Sequence, residues 1–309
     1  MPNLNTIIEI EQNFDDSDSS KTFDDFQITM SEISMFNITF LQAGYLIKIQ
    51  QQGISPIQIL DSDFTMINNG SIWIESSNLN TSINVIATNI TVNNITESTN
   101  SFIKILENIL MKVYNSTFCN INNLESGAVV NIDHDQSQIE FYNCTFTNNT
   151  AIHGSVARVS QGVAKFYECL ITNNFAIHAG VLYASNNTHF EVYRSTISNN
   201  HAIASPAVEL HEAFEPSIIN NSTISKNSIY QKEYITEQIN NCTELWYMSE
   251  SYKNFIQNNP SVLDIRPSAY AIENIKSSIK IENDWYINNQ SSFINSHLSN
   301  LTIDSVVLE

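Results

Sequence analysis

The segment FYNCTFTNNTAIHGSVAR, Phe141–Arg158, returns 25 residues later (166 − 141) as FYECLITNNFAIHAGVLY, Phe166–Tyr183. An aromatic pair, a cysteine, two asparagines and Ala-Ile-His recur in the same order. A catalytic centre has little use for a tandem copy of itself, whereas a stacked architecture needs the same residues on every layer. The apolar residue ahead of the Asn pair marks the period: Phe40, Phe64, Val92, Phe118, Phe146, Ile171, Ile197 and Ile224, with successive differences of 24, 28, 26, 28, 25, 26 and 27. Periods of roughly 20–50 residues belong to solenoids, propellers and arrays.

Local patterning separates strand from helix. In QIEFYNCTF, Gln138–Phe146, Ile139 and Phe141 alternate with Glu140 and Tyr142, and the alternation resumes after Asn143 at Cys144 and Phe146. A further strand follows the Asn pair as GAVVNI at Gly127, GSVARV at Gly154 and AGVLYA at Ala179. Three short strands per repeat are too few for a propeller blade, which needs about 40 residues. They suit one coil of a parallel β-helix, in which coils stack at about 4.8 Å and each residue lies over its counterpart one repeat away. The inward columns Val113, Phe141, Phe166, Val192 and Ser116, Cys144, Cys169, Ser195 hold residues of like size, as a continuous core requires.

The expected fold is all-β, a right-handed parallel β-helix (solenoid) of about 8–10 coils with one non-repeat insertion. Residues 1–28, with the acidic run Asp15-Asp16-Ser17-Asp18, read as an N-terminal lead-in or cap, because terminal coils expose unpaired edges. Residues 29–229 read as coils, 230–267 as an insertion or loop with room for one short helix, and 268–309 as further coils, where IKIENDWYINN repeats the motif.

FTNN at Phe146–Asn149, followed by HGSV or HAGV, resembles the FxxN and GGA[I/V] repeats of polymorphic outer-membrane proteins and of pectin-lyase-like β-helix proteins. The resemblance covers roughly Phe36 to Asn227. It departs where the glycine pair shrinks to one glycine, or to Ser205-Pro206. It implies the β-helix fold, on which polysaccharide lyases and hydrolases as well as surface proteins are built, and it names no activity by itself.

Composition narrows the functions. A net charge of −19 argues against a nucleic-acid binder and against anionic membrane surfaces. No apolar run is long enough for a transmembrane helix, and MPNLNTIIEIEQNFDD lacks the basic-then-apolar order of a signal peptide. The chain is therefore expected to be cytosolic or a piece of something longer. N-x-[S/T] sequons at Asn37, Asn69, Asn80, Asn89, Asn94, Asn115, Asn143, Asn148, Asn186, Asn220, Asn221, Asn241, Asn289 and Asn300 point toward the extracellular side. Cys119, Cys144, Cys169 and Cys242 form no CxxC, so no zinc site is expected, and the stacked Cys144 and Cys169 read as buried free thiols.

Several columns are candidates for function. Tyr114, Tyr142, Tyr167 and Tyr193 form an outward stripe able to stack on sugar rings or on a partner protein, or simply to pack across strands. Beside it Lys112, Glu140, Lys165 and Glu191 alternate in sign, which would pin the register. Asn148, Asn173 and Asn199, with Asn149, Asn174, Asn200 and Asn227 at or beside them, read as a structural amide ladder. His153 and His178 share a corner near His201, and Asp133-His134-Asp135 form a polar corner. Neither has the donor set that identifies a metal ion. The outward column Asn131, Arg158, Tyr183, Glu209 offers no paired carboxylates, while Glu233, Glu237 and Glu244 of the insertion are the remaining carboxylate candidates. The expectation is a non-enzymatic structural or adhesive segment of a larger, surface-exposed protein, without cofactor, acting on another protein or a glycan. The alternative is a polysaccharide lyase or hydrolase.

Overall fold

A computed structural model of the chain describes residues 6–12, 28–51, 56–76, 82–98, 100–124, 127–186, 188–213, 216–240, 250–264, 270–275, 278–287, 292–297 and 299–308. Among the described residues strand accounts for 66% and helix for 7%, and the parallel strands wind into a β-solenoid of about 7 turns. Among the described residues the outermost rungs supply strands to only some walls, so the eight to ten coils expected from the repeat mix complete turns with partial ones. Thr6–Gln12, expected in a lead-in or cap, is itself a strand paired in parallel with Tyr45–Gln51. The acidic run Asp15–Asp18 lies outside the described residues.

One turn can be followed from Gln138. The first wall ends at Tyr142, the second is Thr145–Thr147, a short flank strand is Thr150–His153, and the third wall starts at Ala157. At Val163 the chain is back on the first wall, and Val163 is in register with Gln138. A central turn thus has four strands where three were expected. The fourth belongs to a separate flank sheet of Thr150–His153, Phe175–His178, His201–Ala202 and Ser228–Ile229.

The corners explain the asparagines. The bend between first and second walls falls at Asn89, Asn115, Asn143, Glu168, Arg194 and Asn221, all left-handed with φ from 49° to 57°. The bend after the second wall falls at Asn94, Asn120, Asn148, Asn173, Asn199 and Lys226, with φ from 53° to 57°. Asn is the side chain that accepts this region at least cost after Gly. Inside the first bend, the Ser/Cys column serves the backbone. Ser116 Oγ accepts from the Ile90 N–H at 3.0 Å and donates to the Tyr114 carbonyl at 2.8 Å, and Ser195 repeats the pattern with Cys169 and Tyr193. The free Cys144 and Cys169 thiols donate to the Tyr142 and Tyr167 carbonyls, each at 3.4 Å.

The core is built of stacked columns. Phe118 and Phe146 stack at 5.4 Å, Phe141 and Phe166 at 5.2 Å, and the two stacks meet edge to face, as between Phe141 and Phe146 at 5.0 Å. The marker column is corrected at its start. Met35, not Phe40, is in register with Phe64, because Ser34–Gln51 runs on as one long strand and carries Phe40 past the corner.

The Asn pair divides into two columns. Asn148, Asn173 and Asn199 are the left-handed corner itself, whereas Asn149, Asn174, Asn200 and Asn227 point inward and are fully buried. Asn174 Nδ2 donates to Asn200 Oδ1, and Asn200 Nδ2 to Asn227 Oδ1, both at 3.0 Å. Each Oδ1 of this ladder also accepts a backbone N–H of the rung before, Asn149 to Asn174 for example at 3.0 Å.

The insertion contains two helices, α1 (Lys232–Asn240) and α2 (Glu250–Asn258), and a 3₁₀ turn at Pro260–Leu263, where one short helix or a loop was expected. Ile235, Ile256 and Leu263 pack on Phe175, Ile177 and Ile203 in a cluster separate from the main core. Ala151, in register with Ala176 between Phe175 and Ile177, faces the main core instead. By the two-residue alternation of a strand, the helices therefore cover the outer side of the flank sheet. The solenoid resumes at Tyr270–Ile275, in register with Val208–His211.

Asp284 occupies the inner-bend position above Ser222. One carboxyl oxygen accepts the Ser222 N–H at 2.6 Å, and the other is buried without a partner. Burial foremost raises its carboxyl from 3.8 to about 7, and nearby Glu282 adds to the rise. A carboxyl raised on folding favours the folded state while protonated, so its stabilisation is complete below pH 3.8 and is lost as pH climbs through about 7. The expected outcome is faster amide hydrogen exchange in Trp285–Ile287 at pH 8 than at pH 5.5, beyond the intrinsic rate change. Asp284→Asn should flatten that difference; an unchanged difference counts against the titration.

Candidate interaction face

The first wall presents the Tyr stripe. Tyr114, Tyr142, Tyr167 and Tyr193 are in register and stack at 4.9, 4.8 and 5.2 Å, with interplanar angles of 13°, 8° and 6°. Because each ring covers the next, the ring faces are occupied by one another. What the surroundings meet are ring edges, hydroxyls and the two outermost faces. Sugar stacking on the flat of each ring is therefore closed along most of the ladder, while edge and hydroxyl contacts are open.

Two residues before each Tyr runs the charged column. Lys112 lies 3.5 Å from Glu140 and Lys165 lies 2.9 Å from Glu191. The Tyr142 hydroxyl donates to Glu140 at 2.6 Å, and Gln138 donates to the other oxygen of the same carboxylate. Burial first, then Glu140, raises the Tyr142 phenol, so it stays protonated and donating. The register extends the column to Ile86 before Lys112 and Ile218 after Glu191. Neither isoleucine belongs to the expected charged column, although the register of QIEFY with its neighbouring repeats carries that signal.

The histidines come together in part. His153 and His178 stack at 4.4 Å, and burial foremost pushes them down to about 3 and about 4. Arg158, which adds to the lowering at His153, is paired with Asp133 at 3.4 Å and works against a cation there. His201 stands in another column, stacked on Tyr230 at 4.8 Å. Asp133 turns to Arg158 while His134 faces Asp135 at 3.6 Å, so the polar corner does not converge. Among the described residues no three His, Cys, Asp or Glu side chains are grouped to hold a metal ion.

The third wall keeps Asn131, Arg158, Tyr183 and Glu209 in one column. On the insertion, Glu237 is exposed on α1, and the side chain of Glu233 and the whole of Glu244 lie outside the described residues. A cleft of about 560 Å³ between the helices is lined by Ile256, Pro260 and Leu263 and by the ion pair Lys232–Asp264. Sequons at Asn89, Asn115, Asn143 and Asn221 follow from the fold. The left-handed corner takes Asn, and two residues later Thr91, Thr117, Thr145 and Thr223 open the second wall with outward side chains. The sequons at Asn80, Asn241 and Asn289 and the thiol of Cys242 lie outside the described residues. No described helix is long and apolar enough to cross a membrane.

The chain matches no protein-family model, no curated protein and no solved structure.

Proposed function

We propose that the chain is a non-enzymatic structural or adhesive β-helix segment of a larger, surface-exposed protein, and that its first wall makes contact with another protein or a glycan. The Tyr ladder beside the alternating-charge column carries this reading. Four rungs present aromatic edges and hydroxyls in one straight line, on a wall whose backbone is fixed by parallel pairing on both sides. Tyr in such a setting supplies contact area at small entropic cost and a polar group at its rim.

The test compares the protein with Tyr142→Ala/Tyr167→Ala on a glycan array and against cell-surface protein extracts, with folding of both checked by circular dichroism. The double variant is expected to lose at least tenfold in binding to whichever class is captured. Full retention of binding removes the face from consideration. Release of sugar ends from a polysaccharide, abolished by Glu237→Gln, would move the protein to the enzymes.

A further inference from the structure

The order of side chains on the first wall has a symmetry of its own. From rung to rung the central outward column reads Ile86, Lys112, Glu140, Lys165, Glu191, Ile218. Reversed, it reads apolar, negative, positive, negative, positive, apolar, the complement of the forward order at every charge. The neighbouring column reads Thr88, four tyrosines, Asn220, and is the same in both directions by type.

We propose that this wall docks face to face on the same wall of a second copy of the chain, with the two solenoid axes antiparallel. This deepens the reading that the first wall is a contact face and rests on it. The two-fold axis lies in the interface, along the strands, between the rungs of Glu140 and Lys165. A rotation about it keeps each column facing itself while reversing the rung order. Lys112 then meets Glu191 of the second copy, Glu140 meets Lys165, and Ile86 meets Ile218, each pair occurring twice, as an isologous contact requires. Docking with parallel axes at equal height would set Lys on Lys and Glu on Glu, so the charge order selects the antiparallel arrangement.

The ion pairs within one chain run along the column, Lys112 with Glu140 and Lys165 with Glu191. Those across the interface would complete a checkerboard in which every charge has opposite neighbours. Lys112 is the most open, at 49% side-chain exposure, and faces Glu191 at 15%, so the outer pairs have reach to close. Six rungs at about 4.8 Å and five residues at about 3.3 Å give a face of roughly 500 Å² per copy, or about 1,000 Å² in all. That is the lower limit for a specific interface, so dimerisation should depend on concentration, with Kd on the order of tens of micromolar.

The experiment is sedimentation velocity on protein made without glycans, over about 5–500 µM, a range chosen to bracket that affinity. Wild type is expected to pass from monomer to dimer, and raised salt should weaken the dimer. Lys165→Glu alone and Glu140→Lys alone each set like charges across the axis and should weaken dimerisation at least tenfold. An equimolar mixture restores all four cross-interface pairs and should dimerise within about threefold of wild type, because the swapped pairs are chemically equivalent. If either variant fails to fold by circular dichroism, Lys165→Gln and Glu140→Gln replace them, each expected to weaken the dimer severalfold. Wild type that stays monomeric at the highest concentration, an equimolar mixture of folded Lys165→Glu and Glu140→Lys that stays monomeric, or Gln variants that dimerise as wild type does, overturns the pairing. If wild type is monomeric yet Tyr142→Ala/Tyr167→Ala still loses glycan or protein binding, the pairing fails and the contact face stands. A dimer abolished by the charge variants, with no other ligand captured, supports the pairing as the contact.

Discussion

Asn174→Ala is expected to lower the unfolding free energy by about 3–5 kcal/mol, while Asn173→Ala next to it should cost only about 1 kcal/mol. Asn174 is fully buried and its amide serves three rungs. Its Oδ1 takes the Asn149 N–H at 3.0 Å, and its Nδ2 reaches the Phe146 carbonyl at 3.1 Å and Asn200 Oδ1 at 3.0 Å. Truncation leaves the Asn149 N–H buried without its partner, at a cost of about 1–3 kcal/mol, and removes the amide's bonds to the Phe146 carbonyl and to Asn200, each worth about 0.5–1.5 kcal/mol. Asn173 has φ of 57°, and its loss is mainly the cost of placing a Cβ without amide compensation in the left-handed region. Urea unfolding of the two variants measures the contrast. Equal destabilisation at both positions would show that the ladder bonds contribute little beyond corner geometry.

The second large effect comes from a neighbouring pair with opposite signs. Gly180→Ala should destabilise by more than about 3 kcal/mol or leave the protein insoluble, whereas Ala179→Gly should stabilise by about 0.5–1 kcal/mol. A Cβ on Gly180 would sit 2.1 Å from the Pro206 carbonyl oxygen of the next rung, and backbone on both sides has no room to give. Ala179 occupies the left-handed column of Gly127 and Gly154, with φ of 33°, and glycine relieves that conformation. Thermal melting of both variants tests the pair. A folded Gly180→Ala with an unchanged melting temperature would mean that the rungs can separate there at little cost.

The repeat made the stack legible because parallel strands convert a period in sequence into a column in space. Val113, Phe141, Phe166 and Val192 are buried as the alternation requires, and the four tyrosines fall in one line. What escaped did so for identifiable reasons. The flank strands TAIH and FAIH are too short to show a period of two, so they read as corners although Phe175 and Ile177 build a second cluster. Phe40 imitated the marker because it is apolar and near the right distance, and only strand register exposes Met35 in its place. The two Asn columns look alike in sequence, since the left-handed corner and the buried ladder both select the same side chain. Asp284 gave no warning, because a carboxylate at an inner bend cannot be told from one at an outer bend without the register of Ser222.

The helices seated on the flank sheet also bear on how a chain of this kind changes length over evolution. A stack of near-identical rungs invites unequal recombination, since gaining or losing one period leaves the neighbours in register. That freedom ends under α1 and α2. Their contacts Ile235, Ile256 and Leu263 are matched to Phe175 and Ile177 on one rung and Ile203 on the next. A rung gained or lost between those two would shift one half of the seat by about 4.8 Å relative to the other. Relatives are therefore expected to differ in rung number before Phe175 or after the insertion, and to keep the spacing from Phe175 to Leu263 constant.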